Sequence, residues 1–132
     1  MTGQARGTFE VTMKPLAPPD ESPGAKLGRM SLEKTFAGDL VATSVGTLLT
    51  AMTDTKGSAG YVAMERVTGT LAGRAGSFVF QHSSTMDRGA PTQSIRVVPD
   101  SGTGEFAGLA GSFTIDIIEQ QHRYLFEYSL PD

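Results

Sequence analysis

The sequence predicts an all-β fold: an eight-stranded antiparallel barrel that closes on itself. Apolar and polar residues alternate with a period of two, which is typical of half-buried strands. The 16 glycines and 7 prolines fall mostly between these segments, where turns are expected, and a strand–turn–strand unit is repeated. The 132 residues match the usual size of one domain, so we expect a single domain over residues 1–132.

The alternation is clearest near the two ends of the chain. Phe9 shares one parity with Val11 and Met13, and Tyr124 alternates in the same way with Phe126 and Tyr128. Segments of similar character, separated by turn signals, occupy about 29–36, 38–51, 59–71, 77–86, 93–99 and 112–118. Together with the end segments they give eight predicted strands.

The segment 38–52 is ambiguous, because several of its apolar residues would also share one face of a helix. Those residues are Leu40, Val41, Val45, Leu48, Leu49 and Met52. The same stretch carries a high load of β-branched residues and a glycine, which lowers helix propensity. We therefore predict a strand.

Residues 68–78 and 103–113 match at eight of eleven positions. Each copy predicts the end of a strand, a turn with glycines that can adopt positive φ, and a return strand that opens with Ser-Phe. Eight strands are too few for a trefoil but suit a closed barrel. The interior of such a barrel is filled by side chains or holds one small ligand.

Composition excludes several classes of function. With 11 basic and 14 acidic residues and no basic stripe, the chain is not expected to bind nucleic acid. It has no cysteine, which rules out disulfides and thiolate sites and fits a reducing compartment, so we expect a cytoplasmic protein. The polar amino terminus does not resemble a signal peptide, and no apolar stretch approaches the roughly 20 residues needed to span a membrane.

Three local motifs are weak. Gly102-Thr103-Gly104 precedes a predicted strand rather than a helix, so it does not predict a phosphate-binding loop. Ser44 lies in a loose form of the nucleophile elbow, but the α/β pattern that this motif needs is missing. His82 and His122 could form a metal centre with one carboxylate, Glu65, but their spacing favours roles without metal. We expect no metal and no cofactor.

Glu65 and His82 form the more interesting pair. If Leu71 pairs with Phe78, Glu65 faces Ser84 and becomes a diagonal neighbour of His82 on the inner face. A carboxylate among aromatic rings is expected to have a raised pKa, so Glu65 and His82 are candidate catalytic residues for proton transfer. The structural alternative is that Glu65 caps a polar network, or pairs with an arginine, such as Arg66 or Arg123, across a barrel mouth.

The favoured hypothesis is a barrel that binds a small, largely apolar molecule in its interior. The residues expected to line that site are Tyr61, Glu65, Phe80, His82, Tyr124 and Tyr128. One alternative is an isomerase or cyclase that moves a proton through Glu65, and another is a structural or partner-binding protein with a filled core. Apolar residues on the outward parity predict a small homo-oligomer. They are Val62, Met64, Val79, Ile118 and Leu125.

Four segments resemble a family of small bacterial proteins, the domain of unknown function 3224. They are GYVAMERVTGTL at 60–71, GSFVFQH at 76–82, MDRGAP at 86–91 and VVPDSGTG at 97–104. The resemblance runs from Gly7 to Leu130. It implies a barrel similar to that of allene oxide cyclase, calycin-like in shape and related to the lipocalins. It implies no established activity, and no functional residue can be carried over from the plant cyclases.

Overall fold

Eight antiparallel strands follow one another around a closed barrel in chain order in the computed structural model, which describes residues 1–132. The strands are β1 (Thr2–Pro15), β2 (Ala25–Gly38), β3 (Leu40–Thr53), β4 (Ala59–Leu71), β5 (Arg74–Asp87), β6 (Ala90–Val97), β7 (Ala110–Ile118) and β8 (Gln121–Ser129). The predicted all-β, eight-stranded barrel is confirmed. No helix in the chain is long and apolar enough to cross a membrane.

The ambiguous segment is strand β3, as predicted. Leu40, Ala42 and Ser44 are buried at every second position, whereas the residues between them are exposed. A period of two places these side chains in the barrel interior, and a helix would have dispersed them.

The turn between β4 and β5 is tighter than the sequence suggested. Ala72 and Gly73 have φ values of 52° and 76°, so these two residues alone close the hairpin and Leu71 pairs with Arg74. The predicted pairing of Leu71 with Phe78 is therefore wrong by four residues. Because this shift is even, each residue keeps its predicted face.

The second copy of the repeat folds differently from the first. Its opening residues form a loop with one turn of 3-10 helix (Gly104–Phe106) instead of the end of a strand. Phe106 and Leu109 are buried, and the ring of Phe106 lies 5.5 Å from that of Phe78. The loop thus plugs the end of the barrel at which β4 ends and β5 begins, which we call the closed end.

The interior is divided unevenly between the two ends. A cluster of 18 buried residues fills the closed half, where Phe80 lies 4.8 Å from Phe113 and Phe78 stacks on Phe126 at 5.9 Å. A cluster of only three, Leu32, Leu48 and Ala63, lies toward the other end. Strands β2 to β5 have 13 or 14 residues and β6 to β8 only 8 or 9. We call this less tightly filled end the open end.

Tyr124 links β8 to β2 and β3 at the closed end. Its ring stacks on Phe113 at 5.2 Å, and its hydroxyl donates to the Ala37 carbonyl at 2.9 Å and accepts from the buried Leu40 N–H at 2.9 Å. Gly7 lies opposite Tyr124 in β1, and a Cβ there would come within 2.6 Å of this hydroxyl oxygen. Glycine at position 7 therefore makes room for the ring to reach the β2–β3 turn.

Replacing Tyr124 with phenylalanine tests this role. Tyr124→Phe leaves the buried Leu40 N–H without a partner, so we expect the free energy of unfolding to fall by about 1–3 kcal/mol in urea titrations. Tyr128→Phe is the matched control, because the Tyr128 hydroxyl makes no hydrogen bond within the chain, and its effect should stay below about 0.5 kcal/mol. Equal losses in both variants would contradict the assignment.

Candidate functional site

A carboxylate lies in the middle of the barrel interior. Glu65 projects inward from β4 and its side chain is fully enclosed. Lys34 on β2, Ser44 on β3 and His82 on β5 surround it, and each of these is also buried. We call these four residues the buried polar cluster. It lies between the aromatic core of the closed half and the small apolar cluster of the open half.

Every residue of the cluster contacts Glu65. Oε1 accepts a hydrogen bond from the Lys34 ammonium at 2.9 Å and lies 2.5 Å from Nε2 of His82. Oε2 accepts from the Ser44 hydroxyl at 2.5 Å. The Lys34 nitrogen also lies 4.9 Å from the centre of the Phe9 ring, within cation–π range. The carboxylate therefore meets a donor from each of three strands.

A glycine makes this arrangement sterically possible. Gly46 pairs directly with Glu65 across the β3–β4 ladder. A Cβ at this position would lie 2.8 Å from both the Cα and the Cβ of Glu65, closer than such atoms can approach. Any side chain at position 46 would displace Glu65 from its partners.

The surroundings of Glu65 lower its pKa, contrary to the prediction of a raised value. Burial alone raises it, but four effects together outweigh burial, and the pKa falls from 4.5 to about 2. They are the hydrogen bond from His82, the charge of Lys34, the charge of protonated His82 and the hydrogen bond from Ser44. The ionised carboxylate thus stabilises the fold above pH 4.5, and this contribution is lost as the pH falls through about 2. The sequence missed the cation that reverses the sign.

The ionised state of Glu65 orients His82. A carboxylate can only accept, so the imidazole hydrogen lies on Nε2, and in the neutral ring Nδ1 carries a lone pair. Nδ1 makes no hydrogen bond within the chain, and no fully enclosed polar side-chain atom in the protein lacks a partner, so Nδ1 keeps contact with solvent. In the neutral form of His82 this nitrogen is an acceptor, on a ring whose centre lies 6.5 Å from the centre of the Tyr61 ring.

The geometry excludes two of the chemistries weighed above. Ser44 bonds to Glu65 and not to an imidazole, so it has no base to activate it as a nucleophile. His122 lies against Phe9, with ring centres 5.0 Å apart, and no three acidic or histidine side chains are grouped as metal ligands. The arginine predicted as a partner for Glu65 is also wrong, because Arg66 lies on the opposite face of β4 and the partner is Lys34.

The predicted ligand-lining residues lie at different depths. Glu65 and His82 point inward and meet, which confirms their predicted approach. Tyr61 is half-buried at the open end, where burial raises the pKa of its hydroxyl. Phe80 is enclosed in the aromatic core, and Tyr124 is held by backbone groups. Tyr128 borders a largely polar cleft of about 670 Å³ on the outer surface.

Methionines surround the open end. Met13 pairs with Leu32, Met30 pairs with Leu48, and Met52 and Met86 follow on the inward parities of β3 and β5. Met30 is partly buried and the other three are exposed. Four of the six methionines thus share the inner face at one rim.

Lys34 is the cluster residue that sequence reasoning overlooked. It occupies the same parity as Leu32 and Phe36, both of which are buried, so the pattern places a charge on an apolar face. A charge in that position predicts a buried partner of opposite sign, which is the signal that could have identified it.

Comparison with known proteins gives a consistent family assignment and no activity. The family model described as "Protein of unknown function (DUF3224)" matches residues 5–128. The crystal structure of a DUF3224 protein with unknown function from Shewanella oneidensis MR-1, at 1.84 Å resolution, superposes with a TM-score of 0.93 and 44% identity over 100% of both chains. No curated protein matches the sequence.

A double-mutant cycle tests the central ion pair. Lys34→Met leaves Glu65 without its cation and Glu65→Gln leaves Lys34 without its anion, so each should lower the free energy of unfolding by about 3–5 kcal/mol. In the double variant the loss should be about 1–3 kcal/mol smaller than the sum of the two single losses.

The exposed pair Lys26–Glu21, 3.1 Å apart, provides the matched control for this cycle. Lys26→Met should change the free energy of unfolding by less than about 1 kcal/mol. Additive losses for Lys34 and Glu65 would show that the two side chains do not interact in the folded protein.

Proposed function

The chain belongs to the DUF3224 family, whose description assigns no activity. From the architecture of the barrel interior, we propose that the protein binds a small, largely apolar molecule in its open end. The observation that carries the proposal is the group of four methionines, Met13, Met30, Met52 and Met86, on the inward parity at the rim of the open end. Methionine side chains are flexible and polarisable, and proteins use them on surfaces that accept apolar ligands of varied shape.

The closed half leaves the open half as the place for a ligand. Phe78, Phe80 and Phe126 are fully buried, and their rings contact one another, so that half is occupied by the protein itself. Leu32, Leu48 and Ala63 are buried and pack together, with Met30 and Tyr61 against them. A ligand seated at the open end would lie on Met30 and Tyr61 and on the exposed methionines around them.

Polar groups at the base of the open end favour a ligand with a hydrogen-bonding head. The free Nδ1 of His82 accepts, and the side chains of Tyr61 and Ser84 lie close together on neighbouring strands. A hydroxyl group is complementary to this set because it both donates and accepts. The proposed ligand therefore combines an apolar body with a hydroxyl or a similar polar end.

The alternative function, an isomerase or cyclase that moves a proton through the Glu65 carboxylate, is less well supported. A base with a pKa of about 2 and three donors holds protons poorly at neutral pH. If the site moves a proton, Nδ1 of His82 is the better base, since Glu65 fixes the tautomer from the other side of the ring. Binding itself requires no such step and is the function we propose.

Titration with decanol, followed by NMR of ¹³C-labelled methionine methyl groups, tests the proposal. The signals of Met13, Met30, Met52 and Met86 should shift together as decanol is added. Leucine methyl groups labelled in the same way provide the internal control, because Leu109 is buried in the closed half and its signals should stay in place.

Two variants locate the site in the same titration. Met30→Lys puts a charge in the open end and should weaken decanol binding at least about tenfold, whereas Thr114→Lys, on the exposed outer face of β7, should leave binding unchanged. The proposal is wrong if the rim methionines remain unshifted up to the solubility limit, or if the signals of Leu109 shift with them.

A further inference from the structure

The outer face of β3 carries no charge along its whole length. Its outward positions carry only apolar residues and threonines from one end of the strand to the other. They are Val41, Thr43, Val45, Thr47, Leu49, Ala51 and Thr53. The outer face of an antiparallel sheet is usually polar, so this strand departs from the pattern of a surface facing water.

Neighbouring strands widen the apolar face. Val62 and Met64 on β4 lie beside Leu49 and Thr47, and Leu27 on β2 lies beside Ala51. Val41, Val45 and Leu49 are 54–60% exposed, so nothing within the chain covers them. Contiguous exposed apolar surface of this kind marks an interaction site more often than free surface.

Two opposite charges flank the middle of this face. Glu33 on β2 and Arg66 on β4 both pair with Val45, one on each side, so the three residues form one row across the sheet. Both charged side chains are exposed, and neither makes an ion pair within the chain. At the level of Val45 the face is thus apolar at its centre, negative on one side and positive on the other, whereas Arg29 lies beside Leu49 farther along β2.

We propose that a second copy of this chain covers the β3–β4 face through a two-fold axis that runs along β3. This axis places β2 of each copy over β4 of the other and keeps each residue row at the same height. Glu33 then meets Arg66 of the second copy, and Arg66 meets Glu33 of the second copy, while the two Val45 side chains pack at the centre. Packed sheets usually cross at an angle of about 30°. A rotation of the two sheets by this angle about the central row keeps both ion pairs.

The face is large enough for a dimer of modest interface size. At about 3.4 Å per residue and 4.8 Å between strands, the outer surface of β2 to β4 measures about 45 Å by 14 Å. The two copies together would bury about 1,200 Å², the lower end of the range for specific interfaces. Charged residues lie at the edge and apolar residues at the centre, as in known interfaces.

A charge swap tests the proposed pairing. Sedimentation of the wild-type protein at micromolar concentration should give a dimer. Glu33→Arg places two positive charges opposite each other at each pairing, and Arg66→Glu places two negative charges there. The dissociation constant of each single variant should therefore be at least about tenfold higher. The double variant Glu33→Arg/Arg66→Glu restores opposite charges and should recover the dimer.

Two further variants separate this surface from others. Val45→Lys puts a charge at the centre and should give a monomer, whereas Ile118→Lys, on an exposed apolar residue at the end of β7, should leave the dimer intact. Circular dichroism shows whether each variant keeps its β structure. A monomeric wild type, a double variant no better than the singles, or equal effects at positions 45 and 118 would overturn the proposal.

Discussion

The charge of Glu65, inside a barrel otherwise lined by apolar side chains, is the constraint on which the interior depends. A carboxylate cannot stay ionised in such surroundings unless donors replace the water it has lost. Lys34 and His82 supply this compensation at Oε1, and Ser44 supplies it at Oε2. The four neighbouring strands β2 to β5 must therefore keep their register, because a slip of one residue would turn Lys34 or His82 to the outside. The cluster fixes the alignment of β2, β3, β4 and β5 in the middle of the barrel.

The same cluster separates two interiors of different character. On one side, aromatic rings pack against each other, and the loop with Phe106 closes the barrel. On the other side, strands β1, β2, β3 and β5 carry methionines at a rim that the shorter β6 to β8 enclose less completely. Lys34 lies between Glu65 and the aromatic ring of Phe9, and its charge helps to keep Glu65 ionised. Nε2 of His82 contacts the carboxylate, and Nδ1 lies on the side of the ring away from it. A ligand in the open end would meet an oriented imidazole without displacing any bond of the cluster.

Much of the fold followed from periodicity. Alternation located all eight strands, including β3, and parity placed Glu65 and His82 inside, because a face that carries Phe78 and Phe80 cannot be turned to water. The predicted pairing of Leu71 was wrong, because the segment contains two glycines, Gly73 and Gly76, at which a hairpin could turn. The positive φ values of Ala72 and Gly73 place the turn at these two residues. The error did not affect the site, because an even shift in register preserves faces.

The chemistry of the site was harder to predict than its location. The sign of the pKa shift at Glu65 depends on Lys34, which is 31 residues away in sequence and becomes a neighbour only when β2, β3 and β4 pair. Tyr124 likewise bonds to Ala37 and Leu40 across the closure of the barrel. Such contacts require the complete topology, which alternation within single strands does not contain.

The barrel interior therefore depends on the ionised state of Glu65, and the side-chain carboxyl ¹³C signal of this residue measures that state most directly. In ¹³C-labelled protein the signal is assigned by its loss in the Glu65→Gln variant, and it is then followed in the folded protein from neutral to acidic pH. We expect the signal to keep its ionised position through pH 4.5 and to move only toward pH 2. A titration midpoint at or above 4.5 would show that Lys34 and His82 do not hold the charge.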